Sequence, residues 1–312
     1  MIIFRSGENM NQNFPKYISN NKKTYDFLFE MHHLIKDTTA PTVIFNMTNT
    51  KVLETNLLVI FSLLVNDAMR RGIDVYADMP DGKRYKNHNI EIKLFEKYTK
   101  LNKAFVKPRC VVGNRNKREV EDLLTKYLKE LNLAEYDKVK TLVSELITNV
   151  KMHVEKANSE CKGYIAAHYE LSENNLYISI ANNKVSILEN MKNNGLIFKD
   201  DESAIIWALK RKNSTRKQEE SGGIGLYLLR KYINSLGGKV YFCSGKACMS
   251  LDYHCYSEHN ENEIKICDQE CLTHDFEGSL ITICIPYITD IEKRMDLIQT
   301  NLVLDLSSFM ED

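Results

Sequence analysis

Apolar positions recur along this chain with periods that change from segment to segment. Residues 1–22 are polar and Asn-rich and read as a loose or edge-packed arm. Tyr25, Phe27, Leu28, Met31, Leu34 and Ile35 recur at helical spacing and predict a helix over 24–35. Thr42 to Met47 follows Pro41 as a short buried strand, and Thr48 to Leu53 reads as a loop. A long apolar helix is expected from about Thr55 to Arg71, closed by Gly72 at a C-cap position. Ile73 to Ala77 reads as a second strand and Ile90 to Leu101 as a second amphipathic helix. Strand, helix, strand, helix implies a small parallel α/β unit over 1–106. Residues 107–117 carry breakers and basic side chains and read as a linker. Beyond it the pattern predicts helices at 118–132 and 136–157, then strands at 164–171 and 175–182. A polar stretch follows, then a helix at 224–236 and strands at 239–244, 248–254 and 279–285. This second unit spans 118–287, and 288–312 reads as a tail.

Composition narrows the classes. A chain of 312 residues can bury one large core or two ordinary ones. Lys+Arg and Asp+Glu both number 42, which removes the electrostatic argument for bulk nucleic-acid or anionic-membrane binding. Only 13 Gly and 5 Pro argue against long disordered segments. The longest apolar stretch, Leu57 to Val65, is too short to span a bilayer and contains Ser62. The start, Met-Ile-Ile-Phe-Arg-Ser-Gly, lacks a basic region followed by an apolar core, so a cytoplasmic protein is expected. There the eight cysteines stay reduced. Cys243, Cys248, Cys255, Cys267 and Cys271, with His254, His259 and His274, could supply zinc ligands. Their spacings fit no CxxC pair, however, and Cys243 and Cys284 suit a strand core, so the thiols read as structural. His32 and His33 lack the acidic neighbour of a phosphoacceptor site and read as a helix face.

Chemistry concentrates in two segments. In Lys138 to Val154, Glu145, Asn149 and His153 stand at i, i+4 and i+8 and form one stripe. Leu142 and Leu146 lie beside that stripe, while Lys140, Ser144, Thr148 and Lys151 are expected on the far, solvated side. In Glu220 to Gly238 a glycine-rich turn precedes an amphipathic helix and a Gly-Gly stop. Such a turn can aim backbone N–H groups at an anion. It is neither a Walker loop nor a Rossmann fingerprint.

Together these segments resemble the GHKL ATPases, the superfamily of gyrase, heat-shock chaperones, histidine kinases and MutL. Ser144-Glu-Leu-Ile-Thr-Asn-Val-Lys-Met-His153 looks like the N box, and Gly222-Gly-Ile-Gly-Leu226 like the glycine box closing the ATP lid. Phe276 to Pro286 looks like the last strand, with Gly278-Ser279 where the family has Gly-Thr. Leu176 to Ile187 sits where the family's Asp-x-Gly-x-Gly box belongs, and Ala208 to Arg216 is similar to a Ser-Thr-Arg lid segment. The resemblance implies a Bergerat-type α/β sandwich, a mixed sheet covered by helices, over 118–287. The smaller unit before it resembles a STAS-type domain through its topology and its helix, Arg70-Arg71-Gly72, strand junction. STAS antagonists carry a phosphorylatable Ser or Thr at the start of the long helix. Thr55 is nearest here, but the usual Asp-Ser pair is missing and Thr55 reads as an N-cap.

The resemblance also implies roles. Glu145 would be the general base that orients water, and Asn149 would ligate Mg²⁺ through its amide oxygen. Gly223 and Gly225, with Leu226 closing the glycine box, would bring N–H groups to the phosphates. Arg216 and Lys217 in the lid could neutralise the γ-phosphate or be solvated surface charge. His153 stands too far from Glu145 to share its role. At the adenine pocket Asn182 replaces the family's Asp, and Lys184 and Ser186 replace its two glycines. Asn182 can still accept from adenine N6–H through Oδ1, though its amide donor could admit another base edge. Ser279 keeps the supporting hydroxyl. ATP and Mg²⁺ are thus the expected ligands. Two functions follow: an ATPase or protein Ser/Thr kinase with a protein partner, or a nucleotide-sensing partner switch without turnover. A homodimer is admitted. A histidine kinase is disfavoured, since no helix pair with an H box precedes the domain.

Overall fold

The computed structural model describes residues 9–54, 57–98, 105–111, 114–157, 162–170, 173–183, 185–210, 213, 225–252, 264 and 266–287. Its first elements are β1 (Met10–Asn13), β2 (Tyr17–Ile18), α1 (Lys22–Asp37), β3 (Thr42–Asn46), β4 (Val52–Leu53), α2 (Leu58–Arg70), β5 (Asp74–Asp78), β6 (Arg84–Lys86) and α3 (His88–Tyr98). Four strands form a sheet in the order β1-β3-β5-β6, the first three parallel and β6 antiparallel. Val43, Phe45, Val75 and Ala77 are buried. The alternate positions Asp74 and Asp78 pair with Lys86 and Arg84, so the other face carries ion pairs alongside Ile44 and Tyr76. Of the two readings of the arm, loose or edge-packed, the described part fits the second: it supplies edge strand β1, with Met10, Phe14 and Ile18 buried. Four residues with three polar side chains are too short for a strand period to show.

Local signals position the helices. Asn21 caps α1 by accepting from the Thr24 N–H at 3.0 Å. Gly72, at φ +75°, turns the chain from α2 toward β5. Arg71 donates to the carbonyls of Ile35 and Thr38 and so satisfies the end of α1. Every residue of α2 from Leu58 to Val65 is buried, including Ser62, which donates to the Leu58 carbonyl at 3.1 Å. A helix apolar all round must be enclosed on several sides.

The enclosure comes from the second half: β7 (Phe105–Cys110), α4 (Asn114–Glu130), α5 (Tyr136–Ala157), β8 (Gly163–Glu170), β9 (Asn175–Asn183), α6 (Ile187–Asn193), α7 (Asp201–Ala208), α8 (Gly225–Ser235), β10 (Lys239–Asp252) and β11 (Asp268–Pro286). Five strands pair in the order β10-β11-β9-β8-β7. Every described pair is antiparallel, which corrects the mixed sheet expected here. The expected linker is also corrected. Residues 105–110 form an edge strand, and α4 starts at Asn114. Pro108 falls at a register shift between Val106 and Arg109, where an edge strand tolerates a residue without an N–H. The strands expected at 239–244 and about 248–254 are, as far as Asp252, one strand, interrupted at Gly245 by a bulge with φ +56°.

The halves share a core. Helices α1 and α2 lie between the two sheets, in one apolar cluster that runs from Met10 through α2 to Ala166, Ala181, Phe276 and Leu280. Phe29 stacks on Phe276 at 4.4 Å between centroids. Such a pair adds about 0.5–1.5 kcal/mol beyond its area. Asp26 accepts from the Thr273 N–H at 2.6 Å, and His33 meets the Asp275 carbonyl at 2.7 Å. A second cluster on the other face of the five-stranded sheet gathers residues of α4, α5, α7 and α8. The first apolar cluster thus takes residues from both sides of the linker expected at 107–117. Among the described residues, no helix is long and apolar enough to cross a membrane.

Candidate functional site

Helix α5 buries Val139, Leu142, Val143, Leu146, Ile147 and Val150 along one stripe. Glu145 and Asn149 are half-buried at the margin of that stripe, one turn apart. The helix seats on the sheet at its smallest residue. A Cβ on Gly163 would stand 2.4 Å from Val150 Cγ1, so a larger residue would push α5 away. Gly163 is the ladder partner of Asn182. The Asn149–Val150 turn therefore lies over the end of β9 that carries Asn182. The far side of α5 differs from the expectation. Lys140 is exposed, but Ser144 donates to Glu121 of α4 at 3.2 Å because α4 packs there. His153 lies in α5, and its side chain is outside the described residues.

Asn182 and Ser279 face each other across the β9–β11 ladder, and the Ser279 hydroxyl donates to Asn182 Oδ1. Asn182 Nδ2 in turn donates to the carbonyls of Val185 at 3.2 Å and Asn183 at 3.4 Å. These bonds fix which way the amide points. The donor that could have admitted another base edge is engaged, while Oδ1 keeps a second lone pair. Asn182 is buried, so the pair forms the floor of the site. Gly278 allows the approach: a Cβ there would lie 2.0 Å from the Asn182 carbonyl oxygen.

Ser186 and three residues not singled out in the sequence, Ser244, Asp201 and Gly245, surround this floor. The fully buried Ser244 donates to the Gly278 carbonyl at 2.8 Å and accepts from the Ile187 N–H at 2.8 Å. One hydroxyl thus ties β10, β11 and the segment after Asn182 together. Ser186 caps α6 by accepting from the Glu189 N–H at 3.1 Å. Asp201 accepts from the Lys246 N–H at 3.0 Å and its carboxyl sits against Gly245, which fastens α7 to the bulge of β10. Burial pushes the Asp201 carboxyl up, and that N–H opposes the shift. An isolated glycine inside a strand pattern, as at Gly245, is the signal that could have marked this place.

Several residues of the expected lid and pocket, Lys184, Arg216, Lys217 and Gly223, lie outside the described residues, as does Thr55. Gly225 is the first described residue of α8, and Leu226 is half-buried against the core that α5 shares. Glu145 and Asn149 offer a carboxylate and an amide oxygen, which suit a hard cation. Mg²⁺ commonly takes one or two protein ligands and completes its shell with phosphates and water. Among the described residues no group of three or more His, Cys, Asp or Glu could hold a metal ion. Of the late thiols, Cys243 and Cys248 are buried with their sulfurs 2.7 Å apart, and Cys267 and Cys271 are exposed. His254, Cys255 and His259 lie outside the described residues. A scan against protein-family models finds none that matches the chain, and a search of curated proteins returns no match.

Proposed function

We propose that the chain is a Mg²⁺-dependent ATP-binding protein of the GHKL type. Its ATP site is built on a Bergerat-like sandwich of the five-stranded sheet with α5 and α8, and a STAS-like unit precedes it. The observation that carries this reading is the Asn182–Ser279 pair under the Glu145–Asn149 turn of α5. A base contact and a metal ligand are thereby approached from one helix and two adjacent strands. Among the described residues Asn182 Oδ1 accepts from Ser279, and its second lone pair favours a base edge that donates, as adenine N6–H does, over one that accepts. Asn149 would hold the cation, and the start of α8 at Gly225 would offer N–H groups to phosphate. Three parallel strands with both crossover helices on one face support the STAS-like reading of the first half.

In this proposal the protein works in the cytoplasm and either hydrolyses ATP or transfers its γ-phosphate to a Ser or Thr of a partner protein. Glu145 orients the attacking hydroxyl or water and accepts its proton. One observation favours a second reading, a nucleotide-sensing switch without turnover. Ser186, which stands where the family has a glycine, starts helix α6 instead of a hinge. Incubation with γ-labelled ATP separates the two. Turnover predicts release of phosphate or labelling of protein, lowered about 10²–10⁴-fold in Glu145→Ala with ATP affinity kept. ATP binding with no release and no labelling, alone or with a partner, would establish the switch instead.

A further inference from the structure

We propose that Asp67 of α2 is a positioning residue for the base-contact pair, acting through Asn183, so that the first half of the chain sets the nucleotide preference of the second. This rests on the ATP-site reading above. Asn183 is fully buried and follows Asn182, so its side chain points to the opposite face of the sheet. Its Oδ1 accepts from the Lys162 N–H at 2.8 Å. Its Nδ2 donates to both oxygens of Asp67, at 2.8 and 2.9 Å. The last residue of β9 is therefore held from two directions, by the lead into β8 and by a carboxylate on α2. The planar peptide between 182 and 183 passes any displacement of one to the other.

The same helices brace the other half of the pair. Asp67 lies 3.4 Å from His32 Nε2, and His32 meets Phe276 edge-on at 5.8 Å. Phe276 stacks on Phe29 and its ring lies 2.9 Å from where a Gly278 Cβ would be. Gly278 precedes Ser279. Helices α1 and α2 thus press on both strands directly behind Asn182 and Ser279, on the face away from α5. A hydrogen bond to a carboxylate is roughly twice as strong as one between neutral groups, so Asp67 holds the strand end more firmly than a neutral side chain would.

The test titrates the full chain with ATP and, separately, with inorganic tripolyphosphate, both with Mg²⁺. The proteins are native, Asp67→Asn, Asn183→Asp and the double exchange. Asp67→Asn keeps the size of the side chain but loses one acceptor and the charge. Asn183→Asp sets two carboxylates against each other. Each single variant should weaken ATP about tenfold or more and leave tripolyphosphate within about twofold. The double exchange restores one donor and one carboxylate, with the Lys162 N–H still donating, and should recover ATP to within about threefold of native. Native protein that binds neither ligand would overturn the ATP-site reading itself. Native protein that binds ATP while the single variants bind it equally well would overturn only the role of Asp67. Equal losses for both ligands, or no recovery in the double exchange, would do the same, since a merely structural bond has no reason to distinguish base from phosphate.

Discussion

Gly278→Ala perturbs the candidate site at its tightest contact. The new methyl would lie 2.0 Å from the Asn182 carbonyl oxygen and 2.9 Å from the Phe276 ring, where ordinary contact begins at 3.4 Å. The methyl meets backbone, so β9 and β11 must part by about 1.4 Å at this point, against a ladder spacing of about 4.8 Å. That movement breaks the Ser279–Asn182 hydrogen bond and strains the Gly278–Asn183 pair beside it. Overpacking costs about 1–3 kcal/mol and the lost hydrogen bond about 1 kcal/mol, so the total should be about 2–4 kcal/mol. Urea unfolding with an unchanged slope would measure it. Gly195→Ala is the control: its φ is +78° but nothing lies within 4 Å, so only the backbone term of about 1–2 kcal/mol applies. If Gly278→Ala costs no more than Gly195→Ala, the close approach of the two strands is wrong.

Two further outcomes test other parts of the molecule. Burial pushes His168, stacked on Tyr177, down to about 4, so the unfolded chain takes up a proton near pH 6.5 that the folded chain refuses. Stability should be full above pH 6.5 and fall by about 3 kcal/mol toward pH 4, and His168→Phe, which keeps the stacked ring, should remove that slope; parallel pH profiles for the two proteins would refute it. Asn149→Ala should lose the Mg²⁺-dependent part of ATP affinity and little of the metal-free part, and calorimetry showing the same Mg²⁺ dependence as native would contradict its assignment as the metal ligand.

What was legible in the sequence was mostly local. The stripe of α5 could be read because Leu142, Leu146 and Val150 bury where a helical period places them. The same period left Glu145 and Asn149 at the margin. Helix α2 was legible as apolar, but nothing local says that two sheets enclose it. Strand β1 was invisible because pairing with β3, not its own composition, makes it a strand. The segment 107–117 looked like a linker because Pro108 breaks regular structure, whereas a bulged edge accommodates it. The partners Asp67 and Asn183 are separated by 116 residues, so no window of sequence could join them. Ser279 and Asn182 were paired only by resemblance, and their facing positions come from the register of β9 with β11.

The central claim is that the floor made by Asn182 and Ser279 receives adenine while α5 holds the metal of the same nucleotide. Titration calorimetry of the native chain with ATP and with GTP, each with Mg²⁺ and with chelator, tests it most directly. Saturable ATP binding that weakens on chelation and exceeds GTP binding is the expected result. Absence of ATP binding, or tighter binding of GTP, would contradict it.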